Sequence, residues 1–138
     1  MTVQGIAHVG VAVVDWDRML SFYRDVIGLK VDKIQPHPRG GIIAFLSASE
    51  GEVIELICYD HAKPIRPDVH ERGNTGINHF GFKVDDVETE YQRLKALGVE
   101  FEGEVRPASP EHDAAAHFWD LEGNRLHITS KWVPSAAA

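Results

Sequence analysis

The chain has 138 residues, 43% hydrophobic and 25% charged, with a formal net charge of -7; this is the composition of a globular domain, or of two small modules sharing a core. The fourteen Lys and Arg form no run, so the acidic balance disfavours nucleic acid, and no apolar stretch approaches the roughly eighteen residues of a membrane span. One cysteine, Cys58, cannot make an internal disulfide, and the N-terminus lacks a basic leader, so a cytoplasmic address is expected.

The chain opens on "GIAHVGVAVVDWD", residues 5 to 17, whose period-two alternation predicts a half-buried strand carrying His8. Asp15 is placed to cap a helix from about Trp16 to Ile27, with Trp16, Leu20, Tyr23 and Ile27 on one stripe and Gly28 as its left-handed stop. Three strand-like runs follow, Leu29–Gln35, Gly41–Ala48 and Glu52–Tyr59. The last, "VIELI", carries Glu55 among aliphatic neighbours. His37 and Arg39 fall on the turn between the first two runs, where a surface hairpin explains them as well as contact with an acidic substrate group does. Cys58 alternates away from Glu55 and reads as packing.

Residues 60 to 75, "DHAKPIRPDVHERGNT", are rich in proline and charge and read as a linker, with His61, His70 and Arg72 as solvating charge. The order then repeats. "GINHFGFKVDDVE", residues 76 to 88, matches residues 5 to 17 at an offset of 71, with Gly5 on Gly76, His8 on His79, Gly10 on Gly81 and Asp15 on Asp86. A second helix is predicted from about Val87 to Leu97, with Val87, Tyr91 and Leu94 inward and Gly98 closing it. Strand-like runs follow at Val99–Arg106, Ala114–Trp119 and Arg125–Lys131. Between the first two, "SPEHDAAAH" reads as a solvated connection, with closure over a substrate as the sharper alternative. Strand parity across the turn at 120 to 124 leaves His117 unplaced. The terminal "PSAAA" is a tail without assigned role.

Each half is therefore βαβββ, and an offset of 72 sets "RLHIT", with His127, on "VIELI", with Glu55. If first and last strands are neighbours, His8 shares a face with Glu55, and His79 with His127. Two or three imidazoles with a carboxylate make a donor set for a divalent transition metal. Taken singly, each is more ordinarily a hydrogen-bonded strand residue; their matched places in the repeat favour the metal.

The motifs "HVGVAVVDWDRMLSFYRDVIGLKV", "VIEL", "HFGFKVDDVE" and "DLEGNRLHI" resemble the vicinal-oxygen-chelate superfamily, which includes glyoxalase I, methylmalonyl-CoA epimerase, fosfomycin- and bleomycin-resistance proteins and extradiol dioxygenases. The resemblance spans residues 5 to 131. It implies an α+β fold of two βαβββ modules, 5–59 and 76–131, related by a pseudo-twofold axis around a U-shaped metal-binding cleft. It carries the metal-ligand role onto His8, Glu55 and His79, and a homodimer is expected from it alone. The fourth ligand position departs from the family, because His127 stands where Glu is usual and the turn reads "DLEGN" rather than "DPDGN". In the family's lyases and isomerases the metal binds two substrate oxygens and stabilises an enediolate, with the last-strand Glu as base. An imidazole bound to metal is a poor base, which leaves Glu55 for that role. The expected function is a glyoxalase-like lyase or isomerase using Zn, Ni, Co or Fe(II) on a small substrate with vicinal oxygens. The alternatives are a non-haem Fe(II) dioxygenase built on His8, His79 and Glu55, and a metal-free binding or resistance protein with Phe118 and Trp119 as aromatic walls.

Overall fold

The computed structural model describes residues 2–65, 71 and 73–134. Part of the expected linker (66–70 and 72, including His70 and Arg72) and residues 135–138 of the tail lie outside the described residues. The chain divides into two compact units, Met1–Ile65 and Arg66–Ala138.

The first unit holds β1 (Val9–Ala12), α1 (Trp16–Ser21), β2 (Lys30–Pro36), β3 (Ile42–Ala48) and β4 (Gly51–Cys58) in the sheet order β1-β4-β3-β2. Asp15 caps α1 by accepting from the Arg18 N–H, as its place before the stripe predicts. The helix extends to the expected end but changes pitch, since Phe22–Ile27 is a π-helical turn. Met19, Leu20, Phe22 and Tyr23 are its buried face, at the i, i+3, i+4 spacing of one helix side. Gly28 ends it at φ 94°, in the left-handed region.

The second unit holds β5 (Phe80–Lys83), α2 (Val87–Ala96), β6 (Ala114–Trp119) and β7 (Arg125–Ser130) in the order β5-β7-β6. Asp86 caps α2, accepting from the Glu88 N–H and the Thr89 hydroxyl, and Val87, Tyr91 and Leu94 are its buried face. The run expected as a strand over Val99–Arg106 pairs with β6 only at its ends, in the bridges Phe101–Phe118 and Arg106–Ala115. The residue numbers of the two bridges sum differently (219 and 221), so the segment bulges between them, where Glu102, Gly103 and Glu104 form a bend. Gly weakens strand continuity there, and Pro107 can donate no ladder bond beyond.

In both sheets the first strand runs parallel to the last, β1 beside β4 and β5 beside β7. The core of each unit lies on one face of its sheet. In β4, Ile54 and Leu56 are fully buried while Glu55 between them is partly exposed; in β7, Leu126 and Ile128 are buried while His127 is intermediate. This period-two sidedness explains why both polar residues sit in aliphatic runs: they occupy the face opposite the buried one. No helix among the described residues is long and apolar enough to cross a membrane.

Candidate functional site

In the first unit, Gly10 pairs with Glu55 in the β1–β4 register, and His8 sits one residue before β1, on the same side as Gly10. The sequence pattern placed His8 within the strand; the ladder begins after it. His8 Nε2 lies 3.3 Å from Glu55 Oε2, and its Nδ1 lies 3.9 Å from Glu52 Oε1. One ligand atom each from His8, Glu52 and Glu55 falls within 4.8 Å of the others. Glu52 was not anticipated as a neighbour of the pair.

The second unit repeats this arrangement with different chemistry. Gly81 pairs with His127 in the β5–β7 register, and His79 precedes β5 by one residue. The His79 and His127 ring centroids are 4.6 Å apart. The pair gains a third ring from β6, where His117 is directly opposite His127 in the antiparallel ladder. Its centroid is 4.9 Å from His127 and 5.2 Å from His79. One nitrogen from each imidazole lies within 4.8 Å of the other two. The signal for His117 was present in the repeat: the offset of 72 that aligns Glu55 with His127 also aligns Phe45 with His117, and Phe45 is the residue opposite Glu55.

Hydrogen bonding determines the tautomer of His79. The Arg125 guanidinium, which can only donate, places a nitrogen 2.7 Å from Asn78 Oδ1, so an oxygen must stand there. His79 Nδ1 is 2.7 Å from that same oxygen. Nδ1 therefore carries the proton, and the lone pair is left on Nε2, as a metal-binding imidazole requires. Arg125 is itself held by a bidentate pair with Glu102, at 2.7 and 2.8 Å.

All three imidazoles titrate below the ordinary histidine value, chiefly because burial disfavours the cation. His127 is pushed down to about 4, with His79, His117, Arg106 and Arg125 adding repulsion after burial. The cluster is thus neutral at physiological pH, the state in which imidazole ligates metal. His127 Nδ1 is buried and has no hydrogen-bond partner among the described residues. An orphaned buried nitrogen of this kind costs on the order of 1–3 kcal/mol. Together with the donor chemistry around it, this fits a site for a divalent ion.

Other sequence candidates take ordinary places. His37 Nδ1 accepts the Arg39 N–H within the β2–β3 turn, and its ring meets Tyr59 edge-on. Phe118 is fully buried against Phe101, so it cannot wall a ligand pocket.

Residues 5–128 match the family model of the Glyoxalase/Bleomycin resistance protein/Dioxygenase superfamily. The chain is similar to the mitochondrial methylmalonyl-CoA epimerase of Mus musculus, 29% identical over 111 residues that make up 80% of this chain. It spans 59% of that relative's length. It is 27% identical over 124 residues to the lactoylglutathione lyase of Haemophilus influenzae, covering 89% of this chain and 90% of the lyase. Among solved structures, the glyoxalase family protein from Enterococcus faecalis shares the fold at a TM-score of 0.77 and 22% identity, over 94% of this chain and 99% of that one. A match over nearly the whole chain, on the fold and the strand positions described above, makes this protein a member of the Glyoxalase/Bleomycin resistance protein/Dioxygenase superfamily.

Proposed function

We propose that the protein is a metal-dependent lyase or isomerase acting on a small substrate with vicinal oxygens, with His8, Glu55, His79 and His127 as metal ligands and Glu55 as the base. The observation that carries this reading is the matched pairing of donors in the two halves, His8 with Glu55 and His79 with His127, with His127 Nδ1 buried and unpartnered. The similarity to proteins named as an epimerase and a lyase supports it further.

When bound, a divalent ion supplies Lewis-acid polarisation of two adjacent substrate oxygens. The chain supplies the rest. Glu55 is the carboxylate among the four, and one of its oxygens accepts the carbon-bound proton and returns it to the same or the neighbouring carbon. Its partial exposure, 23% of the side chain, leaves that oxygen open to substrate. The imidazoles of His79 and His127 are neutral and serve to hold the ion, with His79 aligned by Asn78 and Arg125. Three nitrogens and one oxygen suit Zn, Ni, Co or Fe(II). A homodimer in the cytoplasm belongs to the same reading.

The test is to purify the protein anaerobically, measure its metal, and assay 2-oxoaldehyde thiol adducts and catechols with and without oxygen. Turnover without oxygen, lost in Glu55→Gln while metal is retained, is the expected result. Oxygen uptake that depends on Fe(II) would replace the proposal with a dioxygenase.

A further inference from the structure

We propose that His117 joins His79 and His127 as a third nitrogen donor to the metal from the second half. The inference rests on the metal-dependent reading and adds to its ligand set a donor that the first half, with Phe45 at the matching place, does not repeat.

Three observations carry it. The register sets His117 opposite His127 and His127 opposite Gly81, so the three rings converge from the approach to β5, from β6 and from β7. Their donor atoms lie within 4.8 Å of one another; nitrogens bound to Zn at about 2.0–2.1 Å in a tetrahedral shell sit roughly 3.4 Å apart, a distance small side-chain rotations can close. The unpartnered buried nitrogen belongs to this cluster and not to the other half.

The repeat itself speaks against a packing explanation for His117. At the matching position the first half carries Phe45 beside Glu55, so an aromatic hydrocarbon ring suffices to fill this place in the fold. The second half instead installs a ring with a lone pair. The hydrogen bond of His79 Nδ1 to Asn78 leaves Nε2 open for the same purpose.

The test uses the full chain, with Zn²⁺ titrated into wild type, His117→Phe and the double variant His8→Ala/Glu55→Gln. His117→Phe copies the first half and preserves the ring, so its thermal midpoint reports whether the fold is kept; His117→Ala serves as a second variant. The expected result is one Zn²⁺ per chain in wild type, with affinity lowered at least about tenfold in His117→Phe and lowered also in the double variant. In 15N-labelled wild type the His117 ring resonances shift on addition of Zn²⁺. Wild-type affinity in both His117 variants, with binding lost in the double variant, would overturn this proposal and leave the four-ligand reading standing. Absence of binding by wild type to Zn²⁺, Co²⁺, Ni²⁺ and Fe²⁺ would overturn both.

Discussion

Gly81 lies directly under the His127 ring: a Cβ built on it would come within 2.0 Å of both Cδ2 and Nε2. At the matching place in the first half, a Cβ on Gly10 meets nothing within 4 Å, although Gly10 pairs with Glu55 in the same register. The glycine at 81 thus seats an imidazole, and the glycine at 10 leaves open space beside a carboxylate. Gly81→Ala is expected to force the ring from its seat, destabilising by about 1–3 kcal/mol as overpacking does and weakening metal binding. Gly10→Ala is expected to stay within about 1 kcal/mol of wild type. Urea denaturation of the two variants side by side reads the contrast; equal effects would sink it.

Asn78 and Arg125 are expected to act on metal affinity through His79. Asn78→Leu removes the acceptor that holds the proton on Nδ1, so the two neutral tautomers of His79 should mix, and affinity should fall by about 10–100-fold. Arg125→Leu should act in the same direction while also removing the ion pair with Glu102. The 15N chemical shifts of the His79 ring distinguish loss of the tautomer from loss of the fold. Unchanged shifts in Asn78→Leu would show that Asn78 does not fix the His79 tautomer.

The metal-free protein should lose stability in acid through the histidine cluster. His127 binds its proton near pH 4 in the folded chain, against an ordinary 6.5. The unfolded chain therefore takes up the proton first. The contribution is fully present above about pH 6.5, falls as pH drops from there, and is gone once pH has passed through about 4. His79 and His117 shift in the same direction and deepen the loss. Urea midpoints between pH 7 and pH 4 should fall less in His127→Phe than in wild type, and parallel curves would contradict the assignment.

Asp120 is the buried carboxylate that builds the β6–β7 turn, accepting the N–H groups of Glu122 and Asn124 at 2.9 Å and the Asn124 side-chain amide at 2.7 Å. Asp120→Ala leaves those donors without their acceptor and should cost about 1–3 kcal/mol. Because this turn fixes which residue of β6 faces His127, metal affinity should fall as well. Asp86→Ala, which removes only the α2 cap, should cost about 1 kcal/mol and leave metal affinity as it was. Thermal melts and Zn²⁺ titration of both variants separate the two effects.

Local chemistry was enough to read most of the fold. The alternation around Glu55 and His127, the aspartates before each helix and the glycines after them are short-range signals, because a strand's sidedness and a helix's caps are set by neighbours a few residues away. Comparing the halves at offsets of 71 and 72 also singled out His8, Glu55, His79 and His127. Only the tertiary structure decided what surrounds them. His117 joins the cluster because the Asp120 turn sets the β6–β7 register, and a slip of one residue would have turned it to the buried face. The hold on His79 comes through Asn78 from Arg125, itself fixed by Glu102, 46 and 23 residues away from His79 along the chain, and the bulge at Glu102–Glu104 replaced an expected strand. Such partners are chosen by backbone pairing between distant segments, which no local window of residues contains.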